Sequence, residues 1–168
     1  MVIYLPGFGI HNKSEMESIS STLRSNGFDV LTHEWRHWKD ESVKWDVNAE
    51  IELIKQEIAT SQVDFVVAKS LGSYVAATMV WQKVIDPQKV VLMGVPLNDL
   101  STDEKEFVGL AIKRMSGKLT VIQNSQDEHC SLEDLNFLIA NVQHDLIIKE
   151  SNTHEYNYPE GVLKVLQS

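Results

Sequence analysis

Apolar residues recur along this chain in two alternating patterns. Short continuous runs occupy residues 2–5, 63–67, 90–94, 119–122 and 146–148, and a strand-like stretch covers 28–35. Runs of this length, bounded by Gly, Pro, Asn and Ser, read as buried strands. Between them the apolar positions take helical spacing. Met16, Ile19 and Leu23 mark a helix over 14–25, ended by Asn26-Gly27. Val47, Ile51, Ile54 and Ile58 form one stripe over 46–60, with Asp46 as its cap. Further helices are predicted over 74–85, 102–115, 132–142 and 159–166, the last with Pro159 in its first turn.

Strand and helix alternate through the whole sequence. Continuous apolar strands joined by helices imply a parallel sheet covered on both faces. The expected architecture is α/β: a three-layer αβα sandwich around a mostly parallel six-stranded sheet, as one domain over 1–168. The chain shows no internal repeat, low-complexity tract or linker. In such sheets the functional site lies at the carboxyl ends of the strands.

Composition narrows the function classes. The formal net charge is −9, so the chain cannot displace many counterions from a nucleic-acid backbone, and no nucleic-acid partner is expected. The single cysteine, Cys130, permits neither an internal disulfide nor a cysteine-based zinc site. The apolar start, Met1 to Gly7, has no basic segment before it and no cleavage site, and reads as a strand. No apolar run approaches the roughly 20 residues of a membrane span. A soluble cytoplasmic protein without a membrane span is the expectation.

The richest stretch is Ala68-Lys69-Ser70-Leu71-Gly72, between a clean strand and a clean helix. A serine on a sharp strand-to-helix turn is held in a strained conformation with its hydroxyl exposed. Such a turn leaves no room for side chains at the residues flanking it, which Ala68 and Gly72 satisfy. The helix start behind Ser70 brings free amides, and that of Leu71 suits a developing oxyanion.

This stretch resembles the nucleophile elbow of the α/β-hydrolase superfamily, with alanine replacing its usual first glycine. The resemblance runs from the first strand to the last helix. It implies the chain order Ser, acid, His, with the acid and the base each just past the end of a later strand. Asp127 occupies the acid position, with Glu128 as a neighbouring substitute, and His154 occupies that of the base. The resemblance also assigns Pro6-Gly7-Phe8-Gly9 to the oxyanion loop, with the Phe8 amide as partner of the Leu71 amide. Met93, Val95, Pro96 and Leu97 follow the neighbouring strand and are expected to line the substrate site. The early antiparallel strands and the lid of larger members are missing. The nearest group is that of small lidless serine hydrolases resembling retinoblastoma-binding-protein-9 and its bacterial relatives. The implied activity is hydrolysis of small or exposed esters or amides, with no cofactor and no metal.

Other readings compete. His33-Glu34-Trp35-Arg36-His37 spells a zinc-hydrolase motif, which requires a helix so that both imidazoles face one way. Gly7-Phe8-Gly9 after a strand is a fragment of a dinucleotide-binding fingerprint without its third glycine. A non-catalytic interaction protein on the same fold is the reading from another class, with Trp35, Trp38 and Trp45 as its surface.

Overall fold

The apolar runs fold as six strands, all parallel. The computed structural model describes residues 1–168. Its strands are β1 (Val2–Leu5), β2 (Val30–Thr32), β3 (Phe65–Lys69), β4 (Lys89–Met93), β5 (Leu119–Asn124) and β6 (His144–Lys149). Their order across the sheet is β2-β1-β3-β4-β5-β6. The helices are α1 (Lys13–Ser25), α2 (Arg36–Lys39), α3 (Val47–Ile58), α4 (Leu71–Trp81), α5 (Thr102–Lys113), α6 (Leu132–Ile139) and α7 (Pro159–Gln167).

Successive strand residues point to opposite faces, so each strand feeds two cores. On one face Val2, Tyr4, Val67, Val91 and Ile122 pack with the buried stripes of α1 and α7. On the other Ile3, Leu5, Val66, Leu92 and Val121 pack with residues of α3, α4, α5 and α6. The helix after β1 and the helix after β3 therefore cover opposite faces. β1 and β3 are hydrogen-bonded neighbours, with Leu5 opposite Ala68. The strand order reverses here, the point at which open sheets of this kind place their binding sites, at the carboxyl ends of the strands.

Local signals explain the element limits. Asp46 caps α3 by accepting from the amides of Asn48 and Ala49. Ser101 and Glu104 form a capping box at the start of α5. Several limits differ from those expected, among them the end of α4 at Trp81 and not at residue 85. The strand expected over 28–35 is paired only over Val30–Thr32, because the His33 side chain turns into a buried cluster and the chain then enters α2. α4 begins at Leu71, three residues earlier than expected, directly behind Ser70. α6 stops at Ile139, short of residue 142. No helix is long and apolar enough to cross a membrane.

Candidate active site

Ser70 joins β3 to α4 with φ 52° and ψ −120°, a conformation that costs a non-glycine residue of order 1–3 kcal/mol. Its amide donates to the Met93 carbonyl at 2.9 Å, and its own carbonyl accepts from the Ser73 amide at 2.8 Å. These bonds carry the β3–β4 ladder straight into the helix and hold the turn in place. Gly72 is what permits it. A Cβ there would sit 2.1 Å from the Leu5 carbonyl oxygen and 2.8 Å from that of Pro6. Gly72→Ala must push the elbow off the end of β1. It is expected to lower stability by about 3 kcal/mol, the upper range of ordinary overpacking, read as a lower urea midpoint.

The loop beyond β1 lies on that same contact. Phe8 is half exposed and its amide has no acceptor in the protein. Leu71, as first residue of α4, has no acceptor for its amide within the helix. The loop carbonyls are tied down from one side: Trp35 Nε1 donates to Gly7 O at 2.9 Å, and Trp38 Nε1 to Phe8 O at 2.7 Å. His37 Nε2 lies 2.8 Å from the same Phe8 oxygen, and its ring stacks on the Phe8 ring at 4.3 Å. From the other side Asn12 Nδ2 donates to Gly9 O at 2.7 Å, and Lys69 Nζ donates to Asn12 Oδ1 at 2.6 Å. A chain of hydrogen bonds thus links the residue before Ser70 to this loop.

These contacts also bear on two sequence expectations. Trp35 is fully buried, and both it and Trp38 brace the loop. The residues of the zinc-type motif do not share a helix face. His33 is buried between Glu57, 2.7 Å from Nδ1, and Glu50, 3.2 Å from Nε2. Arg36 pairs with the other oxygen of Glu50, while His37 faces Phe8 and Glu34 pairs with Lys13. Of these five residues only Arg36 and His37 are helical, in the four-residue α2, so the two imidazoles cannot sit one helical turn apart.

Asp127 and His154 meet across the ends of β5 and β6. Asp127 Oδ2 lies 2.7 Å from His154 Nδ1 and accepts from Tyr156 Oη at 2.6 Å, while Oδ1 accepts from the His129 amide at 2.9 Å. Burial acts to raise the Asp127 pKa, but these hydrogen bonds outweigh it and hold the group below its usual range. A carboxylate on Nδ1 keeps the imidazole proton there and leaves Nε2 as an acceptor. His154 Nε2 is buried and has no partner in the protein, so no hydrogen bond joins it to the Ser70 hydroxyl here. Glu128, the alternative acid, points outward with its side chain 87% exposed.

Asn124, at the last position of β5, holds the histidine loop. Its Nδ2 donates to the carbonyls of Thr153 and Glu155, both at 2.9 Å, and its Oδ1 accepts from Tyr158 Oη at 2.7 Å. Tyr156 fits beside it because Gly94 has no side chain: a Cβ there would meet the Tyr156 ring at 2.4 Å. Gly94 also has φ 55°, which glycine tolerates freely. Asn124, Tyr156, His129 and Lys69 were not among the expected site residues. The only signal for the first three was their nearness in sequence to a strand end, Asp127 or His154.

Met93, Val95, Pro96 and Leu97, expected to line the site, are all buried. Met93 belongs to the core beneath α1 and α7, and Val95 and Leu97 to the opposite core. None of the four borders the cavity beside His154; Leu97, at the start of a short turn over Leu97–Asp99, borders the apolar groove between α5 and α6 instead. Cys130 lies next to this turn and is buried. Burial, with the Asp127 charge adding, pushes its thiol up to about 12. The folded protein is expected to resist a disulfide-exchange reagent at pH 8, and the urea-unfolded chain to react at once, as followed by absorbance.

A cavity of about 530 Å³ opens between the start of α1 and the loops that follow β5 and β6. Lys69 and His154 both line it, and none of its lining residues is apolar.

No protein-family model matches the chain, and no curated protein sequence does. Solved structures match along nearly its whole length. An α/β serine hydrolase without a lid from Xanthomonas campestris aligns with TM-score 0.66 at 16% identity, over 99% of this chain and 78% of the other. An α/β-hydrolase enzyme from the metagenome of lagoon sediments at Mar Chica, Morocco, gives TM-score 0.71 at 17% identity, over 99% and 88%. A monoacylglycerol lipase from Paleococcus ferrophilus gives 0.74 at 12% identity, over 98% and 91%. The fold is that of the α/β-hydrolases, in a small form without a lid. These three neighbours are described as hydrolases or a lipase.

Proposed function

We propose that this protein is a serine hydrolase that cleaves small or exposed esters or amides through an acyl-enzyme on Ser70. The observation that carries this reading is the His154–Asp127 pair. A buried carboxylate orients the imidazole, and the freed Nε2 is sealed in the site without a partner. Buried polar atoms left unpaired call for an explanation, and a base awaiting its proton donor supplies one. Lys69, the neighbour of Ser70, borders the same cavity as His154. Catalytic hydrogen bonds are often loose before substrate binds and tighten in the complex.

In the reaction, His154 Nε2 takes the Ser70 proton as Oγ bonds to the acyl carbon. The oxyanion is held by the amides of Phe8 and Leu71. The bond to the leaving oxygen or nitrogen then breaks, and His154 returns the proton to it. Water, deprotonated in turn by His154, releases the acid and restores Ser70. Asp127 fixes the tautomer and carries the opposing charge when the imidazole is protonated. The chain's own residues supply every group this sequence of steps needs, so the reading includes no cofactor. The partner is a small-molecule substrate.

The test is labelling with a fluorophosphonate probe. Wild-type protein is expected to be modified at Ser70, as located by peptide mass spectrometry, and Ser70→Ala to remain unmodified. Modification at another residue, or none, ends this reading.

A further inference from the structure

The polar cavity beside His154 holds groups that the acyl-transfer steps leave unused. Lys69 is 2% exposed and lines it, yet no carboxylate forms an ion pair with its ammonium. Of the three N–H donors of an ammonium, the protein engages one, toward Asn12 Oδ1. Across the cavity Asn152, Thr153 and Asn157 come from the loop that carries His154. Ser14, at the start of α1, and His11, in the turn just before it, line the cavity as well. The carboxylates present are Glu15, Glu128 and Glu155. Glu15 is already engaged, accepting from Tyr4 Oη and the Tyr156 amide, whereas Glu128 and Glu155 are open to solvent.

We propose that this cavity is the leaving-group subsite of the hydrolase, and that its substrates are esters of neutral, hydroxyl-rich alcohols. The inference rests on the assignment of Ser70 and His154 above. His154 hands its proton to the departing oxygen, so the alcohol portion lies on the His154 side, where the cavity is. An alkyl group there would cover polar atoms without pairing them, which is costly. A hydroxyl both donates and accepts, and so matches a wall that offers an ammonium, amides and carboxylates together. An alcohol bearing a carboxylate would meet three glutamates against one lysine. The apolar groove of about 590 Å³ between α5 and α6, lined by Leu110, Phe137 and Leu138, lies apart and shares no lining residue with this cavity.

The experiment compares two acetyl esters that differ in the alcohol: methyl 6-O-acetyl-glucoside and n-hexyl acetate. Fluorophosphonate labelling of Ser70 is run on every sample. The glucoside ester is expected to show a kcat/KM about tenfold or more above the hexyl ester, the worth of one charge-assisted hydrogen bond. That ratio is expected to fall toward one in Lys69→Met and in Asn157→Leu. Asn157 is exposed and makes no hydrogen bond within the protein, so its variant keeps the test open should Lys69→Met fail to fold. Equal or better turnover of the hexyl ester by a protein that labels at Ser70 overturns the subsite and leaves the serine-hydrolase reading standing. An unchanged ratio in a folded Lys69→Met and in Asn157→Leu overturns it too. Absence of labelling overturns both.

Discussion

Ser70→Ala is expected to reduce ester turnover on the order of 10⁶-fold, the loss seen when a triad nucleophile is removed. The variant should fold normally. The serine side chain makes no hydrogen bond that supports the turn, and alanine meets the same backbone conformation. Ser70→Gly separates chemistry from strain. Glycine adopts φ 52° without steric penalty, so this variant should be equally inactive yet more stable than wild type by about 1 kcal/mol. Urea unfolding of the three proteins, with turnover of a p-nitrophenyl ester, checks both halves. A more stable and inactive glycine variant is the signature of a turn strained for function. Retained activity in either variant moves the nucleophile elsewhere.

Asp127→Asn is expected to lower kcat by about 10⁴-fold with a small change in KM. An asparagine amide turned toward Nδ1 donates where the aspartate accepts, which moves the imidazole proton to Nε2, the wrong position for a base. Tyr156 Oη and the His129 amide lose an anionic acceptor in the same substitution. Glu128→Gln should leave turnover essentially unchanged, since that side chain is solvent-exposed and makes no hydrogen bond to His154. A heavy loss in Glu128→Gln instead would reverse the acid assignment. The same carboxylate predicts an acid effect on stability. Its pKa in the folded protein is below its unfolded value, so its contribution is complete above that unfolded value, about 3.9, and lost as pH falls through the folded one. Urea midpoints measured from pH 6 down to pH 3 should decline less in Asp127→Asn than in wild type.

Much of this could be read along the chain. The α/β class, the strand runs, the cap at Asp46 and the helix start at Pro159 depend on side-chain spacing and local backbone chemistry, which sequence carries directly. The elbow was legible for the same reason: Ala68, Ser70 and Gly72 are a local steric pattern. The stretch around His33 misled as a longer strand, because its periodicity does not report that Glu50 and Glu57, from α3, claim its imidazole. Met93 and Val95 were expected at the surface of the site because position along a loop does not reveal which way the chain turns. The support around His154 was illegible for a related reason. Asn124 and Tyr156 act through bonds between segments 29 to 32 residues apart.

Sequence by itself determined the order and kind of elements, the small size of the side chains at the elbow, and the candidates Ser70, Asp127 and His154. These follow from periodicity and from steric demands that act within a few residues. Only the tertiary structure paired Asp127 and not Glu128 with His154, buried Lys69 beside Ser70, and lined the adjoining cavity with polar residues. Those outcomes depend on which groups distant loops bring together and how much water they exclude, and both are set by the packing of the sheet and its helices.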